Sequence, residues 1–234
     1  MTSSIEYKGY NLYYKGKLEL LYKEKIAIVG TRKPSKYTRE ITALLAQKLS
    51  KKYVIISGGA LGVDKISHEY SFPNTIMVSP SSLDIIYPKT NREIIKKMQK
   101  EALIISEYEK KYMPRKYSFV QRNRIIVDLS EFVIIPEASL NSGSMRSYEW
   151  AEEFNKKVYI IPQRINESSG TNFLAKTNKA EIIWDIDEFI QKLGINSDEK
   201  ILSLNEAIKK YGNKIYEMEL EGEVEIKNGK VYFK

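Results

Sequence analysis

The stretch KIAIVGTR, residues 25–32, decides the fold: a run of small and β-branched apolar side chains ends abruptly in Gly30, Thr31 and Arg32. A continuous apolar run, rather than an alternating one, is what a strand buried on both faces requires. A glycine directly behind it marks the handover to a helix in a parallel α/β sheet. The same rhythm recurs in VIISGG (54–59), TIMVS (75–79), LIISE (103–107), FVIIPEA (132–138), VYIIP (158–162) and EIIWD (181–185). Segments of helical periodicity separate these runs, for example at 38–51, 92–101, 122–129 and 147–155. Such alternation predicts an extended Rossmann-like parallel sheet with helices on both faces.

Outside this region the pattern changes. Residues 1–24 are rich in tyrosine and lysine without clear periodicity and are expected to form an N-terminal arm with one hairpin. The rhythm stops near Gly194, Ile195 and Asn196, which sets the main domain at 25–194. Beyond it, a helical stretch at 199–211 precedes EMELEGEVEIKNGKVYF, which is expected to turn as a β-hairpin at Asn228 and Gly229. Residues 195–234 therefore read as a small winged-helix-like module, close to the roughly 40-residue lower limit for independent folding.

Composition narrows the function. The 234 residues are 42% hydrophobic and 29% charged, the balance of a chain that folds. No apolar run approaches the roughly 18 residues of a membrane span, and the first residues lack the apolar centre of a signal peptide, so a cytoplasmic location is expected. With no cysteine and one histidine, disulfides, thiolate metal sites and a histidine zinc cluster are excluded, and neither a metal nor a cofactor is expected. A net charge of +8 favours a polyanionic partner or, equally, a lysine-rich solvated surface. Arginine is the more telling residue because its fork matches phosphate oxygens, and Arg32, Arg92, Arg115, Arg122, Arg124 and Arg146 all fall beside the loops below.

In open parallel sheets, ligands bind beyond the carboxyl ends of the strands. There this chain places Gly30-Thr31-Arg32, then Ser57-Gly58-Gly59-Ala60 with Gly62, and, after Glu137-Ala138, Ser142-Gly143-Ser144. Glycine lets backbone N–H groups approach an anion, hydroxyls add donors, and the following helix contributes its positive end. Any one of these loops could be only a tight turn; three can converge on one phosphate pocket. GTRKPS lacks the later glycines of a dinucleotide fingerprint, and no G-K-[ST] follows, so ordinary NAD and ATP binding are disfavoured. PRKYSFVQRNR (114–124) interleaves cations with Tyr117 and Phe119, a pattern suited to a nucleic-acid strand. The competing reading makes Phe119 and Val120 core residues and the arginines a solvated face. Arg122 and Arg124, two apart, cannot share a helix face; one is expected in the pocket and the other in a structural ion pair. His68 reads as a packing or capping residue, and Asp64, in the first turn of its helix, as a stiffener of the loop.

These residues resemble the DNA-processing protein A family, also called DprA or Smf. The resemblance runs from about residue 12 to 190, through KGKLELL, IAIVGTR, SGGALGVDKISH, TIMV, LDIIYPKTN, LIISE, FVQRNRIIVDLS, EFVIIPEA, SGSM, VYIIP and SGTNFLAK. It implies a protein that binds single-stranded DNA, dimerises, and loads RecA recombinase during natural transformation, with no catalytic step. It places Arg32, Ser57, Gly58, Gly59, Ser142, Gly143 and Ser144 in the DNA pocket, flanked by Lys116, Phe119, Arg122, Asn123 and Arg124, with Lys89 as a further contact. Gly30, Thr31 and Ala60 complete the loops. Ser79-Pro80-Ser81-Ser82 stands where the family has a glycine-rich loop, and Asn141 where a lysine is frequent, a charge that Arg146 can supply.

Two rival readings come from other classes. A related Rossmann-like enzyme that cleaves nucleoside monophosphates would use Glu149 beside an arginine, but the glycine-threonine turn of that motif is replaced here by Met145 and Arg146. A duplex-binding regulator would use the C-terminal module, whose Glu217, Glu219, Glu221, Glu223 and Glu225 repel a phosphate backbone.

Overall fold

The computed structural model describes residues 2–195 and 201–233. The chain divides into two compact units, residues 1–186 and 187–234.

Among the described residues, the first unit is built on a nine-stranded sheet. A hairpin of β1 (Ser3–Tyr7) and β2 (Tyr10–Gly16) turns on Lys8 and Gly9, both at positive φ, and β2 pairs antiparallel with β6 (Leu103–Ser106). The expected hairpin thus extends the main sheet through a ladder that sets Tyr13 against Ser106. From β6 the sheet runs parallel through β5 (Thr75–Val78), β4 (Val54–Ser57), β3 (Lys25–Ile28), β7 (Phe132–Ile135), β8 (Lys157–Ile160) and β9 (Glu181–Ile182).

The central strands are apolar on both faces: Ile26, Ile28, Ile55, Ile56, Leu103 and Ile104 are all essentially inaccessible. Each such side chain contributes about 1.5–3 kcal/mol on burial. Successive strands β3 to β6 step outward on one side of β3, then the chain returns to lay β7 to β9 on the other side. The step direction reverses between β3 and β7, so a crevice opens beyond the carboxyl ends of those two strands.

The helices follow from local signals. α1 (Lys36–Leu49) begins at Ser35, whose Oγ accepts from the Thr38 amide at 3.1 Å. α2 (Val63–Ser71) packs on α1, and α3 (Arg92–Glu101) has the bounds expected from its periodicity. α4 (Lys116–Asp128) starts six residues earlier than expected, because the Ser118 hydroxyl takes the Arg115 amide proton at 2.8 Å and secures a first turn that PRKYS conceals. α5 (Gly143–Glu153) packs against α4 and begins directly after Ser142, four residues before its expected start. SGTNFLAK forms α6 (Ser169–Lys176).

The second unit takes in most of α7 (Ile186–Lys192), then β10 (Ile201–Ser203), α8 (Leu204–Tyr211), α9 (Lys214–Leu220), β11 (Val224–Lys227) and β12 (Lys230–Phe233). The helix expected over 199–211 begins only at Leu204; residues 199–200 lie outside the described residues, and Ser203 ends a strand. Ser203 and Glu206 exchange a reciprocal cap, Glu206 N to Ser203 Oγ at 3.1 Å and Ser203 N to Glu206 Oε2 at 2.9 Å. The expected hairpin turns at Asn228 and Gly229, both at positive φ. EMEL (217–220), expected to lead into that hairpin, is instead the second half of α9, because Ile215 faces a small core of Ala207, Val224 and Val231 while the helix's glutamates face solvent. Helices plus a three-stranded antiparallel sheet make this the expected small winged-helix-like module. No helix among the described residues is long and apolar enough to cross a membrane.

Candidate functional site

The loop after β3 is held from two sides. The Thr31 amide donates to the Glu137 carbonyl at 2.9 Å, while the Val63 amide donates to the Thr31 carbonyl at 3.1 Å. Gly62, at φ +77°, lies against the Thr31 and Arg32 backbone, where a Cβ would collide. Glu137 also accepts from the Ser35 amide at 3.0 Å, so the path into α1 is fixed as well.

The loop after β4 is clamped by side chains. His68 meets the Gly58 carbonyl through Nε2 at 2.5 Å and Thr75 Oγ1 through Nδ1 at 2.7 Å, and Asn91 donates to the Gly59 carbonyl at 3.0 Å. Burial lowers the His68 pKa to about 4, so the ring is neutral and structural, as expected of a packing histidine.

Helical spacing in α4 brings Phe119, Arg122 and Asn123 to the same side, facing these loops. Arg122 is buried; its guanidinium donates to the Val78 carbonyl at 3.2 Å and lies 3.7 Å from the buried Asp64 carboxylate. The absence of a side chain at Gly58 is what admits that guanidinium. Burial pushes the Asp64 carboxyl up and the Arg122 guanidinium down in pKa, and the attraction between them opposes both shifts. Asp64 also accepts from the Ala60 amide at 3.3 Å, which fits its expected loop-stiffening role.

The result is a cleft of about 380 Å³ at the topological switch, lined by Gly30, Thr31, Arg32, Lys33, Ala60, Asp64, Phe119, Arg122, Asn123, Ser142, Gly143, Ser144 and Ser147. Of its lining residues, Arg122, Ser142 and Ser147 carry buried polar atoms, Nε and two hydroxyls, that have no hydrogen-bond partner among the described residues. Unmet buried donors cost about 1–3 kcal/mol each. A smaller compartment of about 150 Å³ adjoins the cleft, lined by Arg32, Gly59, Ala60, Leu61, Pro80, Tyr87, Pro88, Phe119 and Arg122. Arg32 stacks on Phe119 at 5.7 Å where the two compartments meet, and Tyr87 meets the same ring edge-on at 5.7 Å. One compartment is rich in donors and the other in apolar and aromatic surface, the division a nucleotide's phosphate and base require.

A model of the DNA recombination-mediator protein A family matches residues 1–194. The chain belongs to this family. It is 39% identical over 157 residues to DNA processing protein DprA of Streptococcus pneumoniae, which covers 66% of this chain and 56% of that protein. DNA processing protein A from Helicobacter pylori, a protein described as having a unique single-stranded DNA binding mode, matches with a TM-score of 0.80 and 45% identity, over 82% of this chain and 95% of that one. The solved structure of the Streptococcus pneumoniae protein matches with a TM-score of 0.73 and 35% identity, over 77% of this chain and 65% of that one. The chain thus spans about half the length of the first curated relatives it matches, 56% and 48% in two cases.

Not every residue expected in the DprA pocket lines it. Ser57 is fully buried and donates to the Ile28 carbonyl at 2.6 Å, which ties β4 to β3. Gly58 and Gly59 make room for Arg122 and Met77 respectively, so their missing side chains serve packing first. Arg124 lies on the other side of α4, 3.2 Å from Glu107 and stacked over Tyr10 at 5.0 Å; Arg122 lines the cleft, but the expected division is incomplete, because Arg122 is ion-paired as well, with Asp64. Arg146 is exposed and paired with Glu149 at 2.6 Å, and neither lines the cleft. Lys89 is exposed one residue beyond Pro88, and Lys116 is exposed one helical turn before Phe119. Sequence reasoning missed Lys33, Ser147, Leu61, Pro80 and Tyr87. Ser147 lies three residues after Ser144 on α5, a spacing that marks the shared face once the helix start is known.

Proposed function

We propose that this protein binds single-stranded DNA with its phosphates in the 380 Å³ cleft, protects the strand and loads RecA recombinase onto it, as a homodimer in the cytoplasm and without a catalytic step. The observation that carries the reading is the meeting of three unmet buried donors, on Arg122, Ser142 and Ser147, beside the Arg32–Phe119 stack. The donors suit phosphate oxygens and the ring suits a base face, and together they fit a strand better than inorganic phosphate. The likeness to the Helicobacter pylori protein, described by its single-stranded DNA binding, supports the same reading. The nucleoside-monophosphate hydrolase reading is weakened by Glu149, the glutamate it needs, which is about half exposed, paired with Arg146 and outside the cleft.

Fluorescence titrations with single-stranded, duplex and RNA oligonucleotides at two salt concentrations test the proposal. Tight, salt-sensitive binding to the DNA single strand is expected. Equal or tighter binding to duplex, or release of free base from nucleoside monophosphates at enzymatic rates, overturns it.

A further inference from the structure

The cleft leaves unexplained a second aromatic and cationic surface on the loop between β6 and α4 and on the first turn of α4. Tyr108 and Tyr112 stack in parallel, with ring centroids 3.9 Å apart and planes within 3°. The Tyr112 hydroxyl donates to the Tyr117 hydroxyl at 2.6 Å, and the Arg115 guanidinium lies 6.0 Å from the Tyr112 ring centroid. Tyr117 keeps 51% of its surface exposed, and Met113 and Val120 are exposed beside it in sequence. A tyrosine held by its hydroxyl while its ring faces solvent is a presented ring rather than a core one.

The surface is continuous with the cleft. At 100° per residue, the side chains of α4 follow one another around the helix as Phe119, Lys116, Val120 and Tyr117, an arc of about 160°. Phe119 lines the cleft; Lys116, Val120 and Tyr117 are exposed. The charge also suits a polyanion: residues 108–120 carry Lys110, Lys111, Arg115 and Lys116 against the single carboxylate of Glu109. The neighbouring Asp84 is occupied, accepting from the Lys111 amide at 3.2 Å, and Glu107 is paired with Arg124.

We infer that the first turn of α4 is a second binding segment for the same single strand, which leaves the cleft past Phe119, crosses Lys116 and stacks a base on Tyr117. The Tyr108–Tyr112 stack serves as the rigid mount that holds Tyr117 outward. Base stacking on an exposed ring is tolerant of sequence, so this segment lengthens the occluded site without adding sequence preference. The inference rests on the proposed occupancy of the cleft by single-stranded DNA.

The test compares oligothymidines from four to sixteen nucleotides on the full chain, using wild type, Tyr117→Ala, Tyr117→Phe and Arg32→Ala. Wild-type affinity is expected to rise with length beyond what the cleft alone holds. Tyr117→Ala is expected to leave the shortest strand unaffected and to weaken the longer ones five- to tenfold, whereas Tyr117→Phe, which keeps the ring but loses the hydroxyl contact to Tyr112, weakens the longer strands by a smaller factor. Arg32→Ala should weaken every length. A Tyr117→Ala protein that binds long strands like wild type, or that weakens all lengths equally, overturns the second segment while leaving the cleft reading intact. Wild type that binds no strand of any length, or Arg32→Ala that matches wild type throughout, overturns the cleft reading and this inference with it.

Discussion

The Arg122 guanidinium and the Asp64 carboxylate lie 3.7 Å apart, each about 5% exposed, on the floor of a cleft whose other cations are at its rim. A buried pair of this kind contributes little net stability, but removing one partner leaves the other as an uncompensated buried charge. Arg122→Ala is therefore expected to destabilise the fold by about 3–5 kcal/mol, with part of the loss recovered in the double variant Asp64→Asn/Arg122→Ala. Denaturant titrations of the two variants measure it, and a double variant no more stable than the single one contradicts the pairing.

Gly58→Ala introduces a Cβ where the Arg122 guanidinium sits. The arginine must move, so the substitution is expected to cost about 1–3 kcal/mol of stability and to weaken binding to single strands together. Gly143→Ala is the control for stability alone, since a Cβ there meets no protein atom. Thermal melts separate the two, and equal stability of the two alanine variants refutes the role given to Gly58.

His68 gives the fold a pH dependence of definite sign. Its folded pKa of about 4 lies below the ordinary 6.5, so between those values the unfolded chain binds the extra proton. The stabilisation is complete above about pH 6.5 and is lost progressively as pH falls toward 4, by up to about 3 kcal/mol for so deeply buried a ring. Unfolding free energies of wild type and His68→Gln, compared from pH 7.5 to 4.5, should converge at the acid end. Parallel curves would assign the acid sensitivity to other groups.

Salt separates the cation from the ring at the cleft's mouth. If the strand neutralises roughly four to six phosphates, the log-log slope of affinity against salt is about −3 to −4, and Arg32→Ala flattens it by about 0.7. Phe119→Ala weakens binding with the slope nearly unchanged, because stacking releases no counterions. Titrations at four salt concentrations suffice. An unaltered slope for Arg32→Ala would move that residue off the phosphate path.

Much of this arrangement is legible in the chain. KIAIVG and its counterparts declare buried parallel strands because a strand covered on both faces has no polar side to show. The glycines behind them declare close backbone approaches. The expected separation of Arg122 from Arg124 follows from two residues being about 200° apart on any helix; Arg122 is the one that lines the cleft, but both arginines are ion-paired, with Asp64 and Glu107. The early start of α4 was hidden because its cap is a serine inside the first turn, Ser118, rather than a residue ahead of it.

The sequence by itself determined the strand order's raw material, the small-residue loops and the cation-rich segment at 114–124, since each is local and periodic. Only the tertiary structure decided what those loops do: Ser57 is used up on Ile28, Gly58 yields its space to Arg122, and Ser147 joins Ser142 as an unmet donor. The physical reason is that an unmet donor, or the need for an absent side chain, is a property of neighbours that the fold brings together, 29 residues apart for Ser57 and Ile28 and 64 for Gly58 and Arg122. No local pattern carries that information.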